Sequence, residues 1–343
     1  MGDKSEIQWT EATWNPLSGC NKISDGCKNC YAIKDAHRLA GNPNPKIAAK
    51  YEGTTKIENG KMNWTGKINL ASEDVLTQPL RWTRPRKIFV NSMSDLFHKD
   101  VPDEWINKIF AVMALCPQHT FQILTKRAER MHDYLKFREV DNAKNFNTRV
   151  NPFVGKFLQD TIADTKTLHR ELGKYECSWK FPLPNVHLGV SVENQEQADK
   201  RIPLLLETPA AVRWLSCEPL LGKVDLFSFL YTRKEMELMQ FHPQKIDWVV
   251  VGGESGHNAR PCDIAWIRSI VQQCKSANVP VFVKQLGKGR LEYGKIHVQP
   301  DSTIKNQQSA AFTFKNSKGG DISEFPKDLQ IRELPNEASR GTL

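Results

Sequence analysis

No run in this chain stays apolar for the roughly eighteen residues that a membrane-spanning helix needs. The first residues, MGDKSEIQWTEATW, hold no apolar signal-peptide core, so the expectation is a cytosolic protein that does not enter a membrane. No short segment recurs at a fixed period, and the G-x-G-x-x-G fingerprint of a dinucleotide site is absent. Acidic residues are in deficit: 39 Asp and Glu stand against 48 Lys and Arg, a net charge of +9. The excess is spread along the chain, which suits a polyanionic partner and a solvated basic surface about equally. Disulfides are not expected in a reducing compartment, so the eight cysteines read as thiols or metal ligands.

Three of those cysteines fall within SGCNKISDGCKNCYA, residues 18–32, spaced C-x₆-C-x₂-C: Cys20, Cys27 and Cys30. Gly19, Asn21, Ser24, Asp25, Gly26 and Asn29 are loop formers, so the backbone can wrap a ligand without strain. The following YAIKDAHRLA carries Ile33, Ala36 and Ala40 at helical spacing, which puts Cys30 at a helix N-terminus, where free N–H groups and the helix dipole favour a thiolate. Three thiolates suit a [4Fe–4S] cluster with one iron left open. A zinc site wants a fourth ligand, and His37 is the only local candidate. Reactive or merely buried cysteines are the third reading.

At 343 residues, with 39% hydrophobic and 25% charged side chains, the chain has room for one large α/β barrel or two ordinary domains. Seven strand candidates appear, at IQWTEATW, 87–95, 120–126, 186–194, 211–219, 247–255 and 279–287, most of them followed by a helical stretch. That alternation implies parallel βαβ units. The reading is an α/β fold: a parallel (β/α) partial TIM-type barrel of about six to seven strands over residues 1–290, with a helical insertion near 137–184 and a polar C-terminal extension over 291–343. A doubly wound open sheet is the alternative, and it too would gather its site at the C-terminal strand ends. A shorter insertion is expected at 227–245, and residues 51–87 read as irregular with a short helix near Ser72 to Arg81.

Polar clusters sit at those strand ends. Asp95, His98, Lys126, Cys217 and Glu218 are candidates for substrate contact or proton transfer. Ser191, Glu193, Asn194, Ser216, Gly252, Gly253, Glu254 and Ser255 are candidates for cofactor contact, with Gly252-Gly253 letting backbone approach a ligand closely. Each has a plainer role open to it. Glu193, Glu218 and Glu254 can pair with Arg201, Arg213 or Arg260, Asp95 can cap a turn, and Cys217 can be a small buried apolar residue. RWTRPRK at 81–87 and Lys126, Arg127 and Arg130 can meet phosphates or simply be solvated.

Taken together, IQWTEATWNPLSGCNKISDGCKNCYA, IFVNSMSDLFH, TFQILTKR, LGVSVEN, RIPLLLETPAAVRWLSCEPLL, WVVVGGESG and VPVFVKQLG resemble the phage-type three-Cys-motif protein family of the radical S-adenosylmethionine-like superfamily. The resemblance spans about residues 6–290. It implies a partial barrel carrying a [4Fe–4S] cluster on Cys20, Cys27 and Cys30, with S-adenosylmethionine on the open iron and an electron donor of the reductase or flavodoxin type. It also implies a cytoplasmic setting in a bacterial or phage-infected cell. Similar superfamily members such as spore photoproduct lyase act on DNA, so a nucleic acid is the expected substrate class. The first cysteine gap is six residues rather than the usual three, and Asn29 stands before Cys30 where an aromatic is usual. The non-catalytic alternative is a basic, zinc-containing nucleic-acid-binding phage or regulatory protein.

Overall fold

Short runs of Val, Ile and Phe become strands here because both faces of a parallel sheet are covered, so the usual apolar–polar alternation is not required. The structure, a computed structural model, describes residues 5, 7–136, 142–161, 180–236, 244–256, 258–293, 309–311, 316 and 318–335. Seven strands, β1 (Ala12–Trp14), β2 (Lys87–Val90), β3 (Thr120–Thr125), β4 (Val186–Ser191), β5 (Val212–Cys217), β6 (Trp248–Gly252) and β7 (Val281–Gln285), lie in that order in one all-parallel sheet. Ile88 pairs with Ala12 on one side and Phe121 on the other, and Val249 lies between Leu215 and Val281. A strand order that follows the chain is what successive same-handed βαβ crossovers build, and the fold is the expected α/β partial parallel barrel.

Contact density divides the chain into two compact units. The first comprises Met1–Ile23, Cys30–Gly189 and Glu207–Val212; the second comprises Ser24–Asn29, Val190–Leu206 and Arg213–Leu343. In the first unit Trp14, Leu17, Ile88, Phe97 and Phe121 are fully buried. Helix α1 (Tyr31–Ala40) is followed by α2 (Pro45–Tyr51), whose Pro45 starts the helix while the Asn44 side chain accepts from Lys46 N. Helix α3 (Asp103–Ala114) leads towards β3, and α4 (Ala128–Leu135) follows it. In the insertion, α5 (Asn142–Thr161) packs Phe146 edge-on against Phe110 at 5.8 Å. The part of that insertion expected to be helical through Leu172 falls outside the described residues.

Two sequence expectations change in this unit. The first strand is shorter than its alternating pattern suggests, because residues 7–10 close into a turn (Thr10 N to Ile7 O, 3.1 Å) and Trp9 packs edge-on against Phe89 at 5.2 Å. The stretch read as irregular contains a β-hairpin, Thr55–Glu58 paired with Lys61–Trp64, besides the short helix Glu73–Leu76.

The second unit is built on Trp214 and Trp248, 5.4 Å apart between rings, with α6 (Gln195–Glu207), which lies mostly in this unit, and α7 (Ile264–Ser276) covering the sheet. The polar segment after residue 290 is anchored at several points. Phe325 and Leu329 are buried, and residues 331–333 run antiparallel along β7 (Val283 N to Ile331 O, 2.9 Å; Glu333 N to Val281 O, 3.0 Å). Phe312 and Phe314, named from the sequence as anchors of this segment, lie outside the described residues. Among the described residues no helix is long and apolar enough to cross a membrane.

Candidate functional site

The entry to the cysteine loop is fixed by a residue that only glycine can supply. Gly19 has φ +93°, and a Cβ there would lie 2.0 Å from Lys67 O. Its N–H donates to Met93 O at 3.1 Å, which sets Cys20 beside the polar turn that follows β2. Asn15 and Asn91 tie the same turn down: Asn15 Oδ1 accepts from Met93 N (3.2 Å) and Asn91 Oδ1 from Leu17 N (3.2 Å).

Cys20 meets a guanidinium. Arg127 Nη2 lies 3.7 Å from Cys20 Sγ and also donates to Asn21 Oδ1 (2.7 Å) and Asn21 O (3.2 Å). Its other nitrogen, Nη1, is paired with Asp95 Oδ2 at 2.7 Å. Asp95, nearly buried, further accepts from the Thr125 hydroxyl (2.7 Å), Lys126 N (3.1 Å) and Phe97 N (3.1 Å). Burial pushes the Cys20 thiol up to about 12; Arg127 opposes that shift, while Asp95 and Cys30 add to it. His98 is fully buried and its Nε2 bonds Asn21 Oδ1; burial first, and then the Arg127 charge, hold the ring at about 4, so it is neutral. The side chains of Asp95 and His98, singled out together from the sequence, therefore serve different partners and meet at Arg127 and Asn21.

Cys30 is the N-cap of α1, as the helical spacing predicts. Both Cys20 and Cys30 pack against a cluster of Ala32, Ile33, Ala36, Tyr51, Trp64 and Met93.

In the second unit, Cys27 ends a 3₁₀ turn, Asp25–Cys27, and lies 3.9 Å from Ser24 Oγ. Two buried carboxylates grip this stretch. Glu193, fully buried, pairs with Arg201 at 2.8 Å and accepts from Gly26 N at 3.4 Å. Glu254 receives Arg260 Nη2 (2.7 Å), Nε (2.9 Å) and backbone N (2.8 Å), together with Asn29 Nδ2 (3.0 Å). Arg260 Nη1 reaches Asp25 O at 2.8 Å. Burial pushes the Glu254 carboxyl up, but the hydrogen bonds from Arg260 and Asn29 outweigh it and hold the group below the usual range.

Other residues singled out from the sequence have humbler surroundings. Glu218 is paired with Lys284 (2.8 Å) and Gln285 (2.9 Å) rather than with Arg213. Asn194 accepts from Gln197 N at the start of α6, a cap. The carbonyl of Ser216 accepts from Val192 N (2.8 Å), and Ser255 and Lys126 are half-buried. The space beside Gly252 and Gly253 is filled by the chain itself, not left for a ligand. A Cβ on Gly253 would come 2.6 Å from Leu286 O, and one on Gly252 would come 3.0 Å from Gln285 O. Cys217 is fully buried, and burial, with Cys274 and Glu193 adding to it, pushes its thiol up. Burial likewise holds Cys116, Cys262 and Cys274 at about 12. Ser191 is different: its hydroxyl is buried with no hydrogen-bond partner among the described residues, as a ligand contact would require.

Sequence reasoning did not find Asn21, Asn29 or Arg260 as holders of the loop. The one available signal was Asn29 itself, a hydrogen-bonding side chain between two cysteines. Cys20, Cys27 and Cys30 are all half-buried and outside disulfides. Among the described residues no three His, Cys, Asp or Glu side chains converge as they would on a single ion. An iron–sulfur cube does not ask for that convergence, because each thiolate takes its own iron.

A family model described as "Protein of unknown function (DUF5131)" matches residues 4–322. No curated protein and no solved structure matches the chain.

Proposed function

The chain belongs to the DUF5131 family, and we propose that it is a radical S-adenosylmethionine-type enzyme of the phage three-Cys-motif kind, acting on a nucleic acid or nucleotide in the cytoplasm. Cys20, Cys27 and Cys30 would hold a [4Fe–4S] cluster, and Ser191, Glu193, Ser216, Glu254 and Ser255 would lie towards S-adenosylmethionine. When bound and reduced by a flavodoxin-type donor, that pair supplies one-electron cleavage of a carbon–sulfur bond and hydrogen abstraction from a substrate.

What the chain itself contributes is positioning and charge. Arg127 places a fixed positive charge against Cys20 Sγ, which favours the thiolate and any anionic group built on it. Asp95 holds that guanidinium in place, leaving it no freedom to swing into solvent. Glu193 and Glu254 keep residues 25–29, and with them Cys27, in one conformation. His98, neutral, adds no charge of its own and fixes Asn21. The Ser191 hydroxyl, which has no hydrogen-bond partner among the described residues, is a ready donor to a polar cofactor.

The observation that carries this reading is Arg127 on Cys20, since a buried guanidinium aimed at a thiol serves a ligand better than it serves packing. Anaerobic reconstitution tests it. About four irons per chain, a brown chromophore and 5′-deoxyadenosine release with dithionite are expected, all lost when Cys20, Cys27 and Cys30 are changed to Ala. A colourless protein holding one tight zinc would overturn it.

A further inference from the structure

Among the described residues Ile57 is the most exposed large apolar side chain, at 63%, and Met62, at 41%, is its directly opposed cross-strand neighbour in the hairpin Thr55–Trp64. Alternation along the two strands puts Thr55, Ile57, Met62 and Trp64 on one face. The inner half of that face is anchored: Trp64 is buried in the cluster against which Cys20 and Cys30 pack, and Thr55 Oγ1 bonds His37 Nδ1 of α1 at 3.1 Å. The outer half overhangs. Asn59 and Gly60, with φ +50° and +70°, close the tip in a tight two-residue turn. The hairpin therefore ends in an exposed tip, its strands about 13 Å long at 3.3 Å per residue, with an apolar pair near its end.

Its surroundings are basic. Residues 31–70, comprising α1, α2 and the hairpin, carry seven Lys and Arg against three Asp and Glu. Lys34, Arg38, Lys46, Lys56, Lys61 and Lys67 are exposed, and Glu58 at the tip is already bonded to Lys56 at 3.0 Å. Two apolar side chains are too few for the buried core of a stable protein–protein interface. A narrow apolar wedge on one face of a ribbon, with Lys56 and Lys61 on its reverse face, is instead an arrangement that enters a nucleic-acid groove and parts a base step while lysines meet the phosphates.

We propose that the hairpin tip, with Ile57 and Met62 as the wedge on one face of the ribbon and Lys56 and Lys61 on the other, binds double-stranded nucleic acid at a weakened base step. This names a substrate class for the enzyme proposed above and rests on that reading only for its link to chemistry. The contact itself does not need the cluster. Because the hairpin base shares its core with Cys20 and Cys30, a nucleic acid held at the tip is held at a set distance from those cysteines.

The test uses the full chain, in wild-type form and as the Cys20→Ala, Cys27→Ala, Cys30→Ala variant, with fluorescently labelled 20-base-pair DNA duplexes that are fully paired, mismatched or abasic at the centre. Binding by anisotropy roughly tenfold tighter to the abasic duplex is expected, since opening an already weakened step costs least. Ile57→Ala with Met62→Ala should remove that preference while leaving the melting temperature unchanged, and Met62→Leu should keep it. Lys61→Ala should lower the slope of log K against log salt by about one. If the cysteine variant keeps the preference, the contact stands whatever becomes of the radical reading. No DNA binding by wild-type protein, equal binding to all three duplexes, or an Ile57/Met62 variant with an intact preference overturns the proposal. So does recovery of the chain on anionic vesicles in place of DNA.

Discussion

Removing the Glu254 carboxylate should cost more than a surface ion pair would, and the geometry says by how much. Glu254 is 7% exposed and accepts four hydrogen bonds, three from Arg260 and one from Asn29. Glu254→Ala leaves a guanidinium only 22% exposed without its counter-charge, a change that typically costs about 3–5 kcal/mol. Water can still reach part of Arg260, so the lower end, about 3 kcal/mol, is the expectation, against a total stability on the order of 5–15 kcal/mol. Glu254→Gln keeps the volume and one acceptor but gives up the charge, and should cost about 1.5–3 kcal/mol. The carboxyl is held below its usual range in the folded chain, so its stabilisation is complete above the unfolded value of about 4.3 and fades as pH falls through the folded value. Urea titrations of metal-free protein, followed by tryptophan fluorescence from pH 7 down to pH 3, measure both effects. Wild type and Glu254→Gln should differ at neutral pH and converge in acid, and the Ala variant should also retain less reconstituted iron because residues 25–29 are no longer held. An Ala variant within about 0.5 kcal/mol of wild type, or a Gln deficit that persists unchanged in acid, would refute the reasoning.

Three further outcomes follow from the same geometry. Arg127→Ala strands the buried Asp95 and should lose about 3–5 kcal/mol together with cluster retention; Arg127→Lys should recover only part, since an ammonium cannot fork between Asp95 and Asn21, as melting curves and iron assays would show. Gly253→Ala places a methyl 2.6 Å from the Leu286 carbonyl and should cost about 1–3 kcal/mol, whereas Gly41→Ala, whose nearest neighbour is 3.8 Å away, should be neutral in the same urea titration. His98 stays neutral down to about 4, below its unfolded value of about 6.5, so stability should decline as pH falls between those values; ring-proton NMR should show no titration above pH 5, and His98→Gln should flatten that stretch of the stability curve.

The sheet could be read from the sequence because its strands are buried on both faces. IFV at 88–90, VVV at 249–251 and VFV at 281–283 admit few other fates, and the helical stretches between them demand parallel pairing. The hairpin could not, since TKIENGKMNW is rich in charge and rests on one buried residue, Trp64, whose partners lie on α1 and α2. Among the candidate site residues the chemical types were legible and the partners were not. Glu193, Glu218 and Glu254 look alike at their strand ends, yet one meets Arg201, one Lys284 and one Arg260. The pair Gly252-Gly253 shows the opposite error: the close approach that glycine permits is real, but what approaches is the chain's own backbone at 285–286.

The outer edge of β7 has a consequence for how the protein is made. Val281 receives its backbone partner from Glu333, 52 residues downstream, and the indole of Trp248 waits for the same residue's carbonyl. At about 5–20 residues per second, a ribosome delivers that cover roughly 3–10 s after the strand itself. Until then a nascent chain presents a row of open peptide groups on a Val- and Phe-rich strand, the kind of template on which two unfinished copies can pair. Translation that stalls inside this window should yield aggregates, while the finished chain, its border closed, should not.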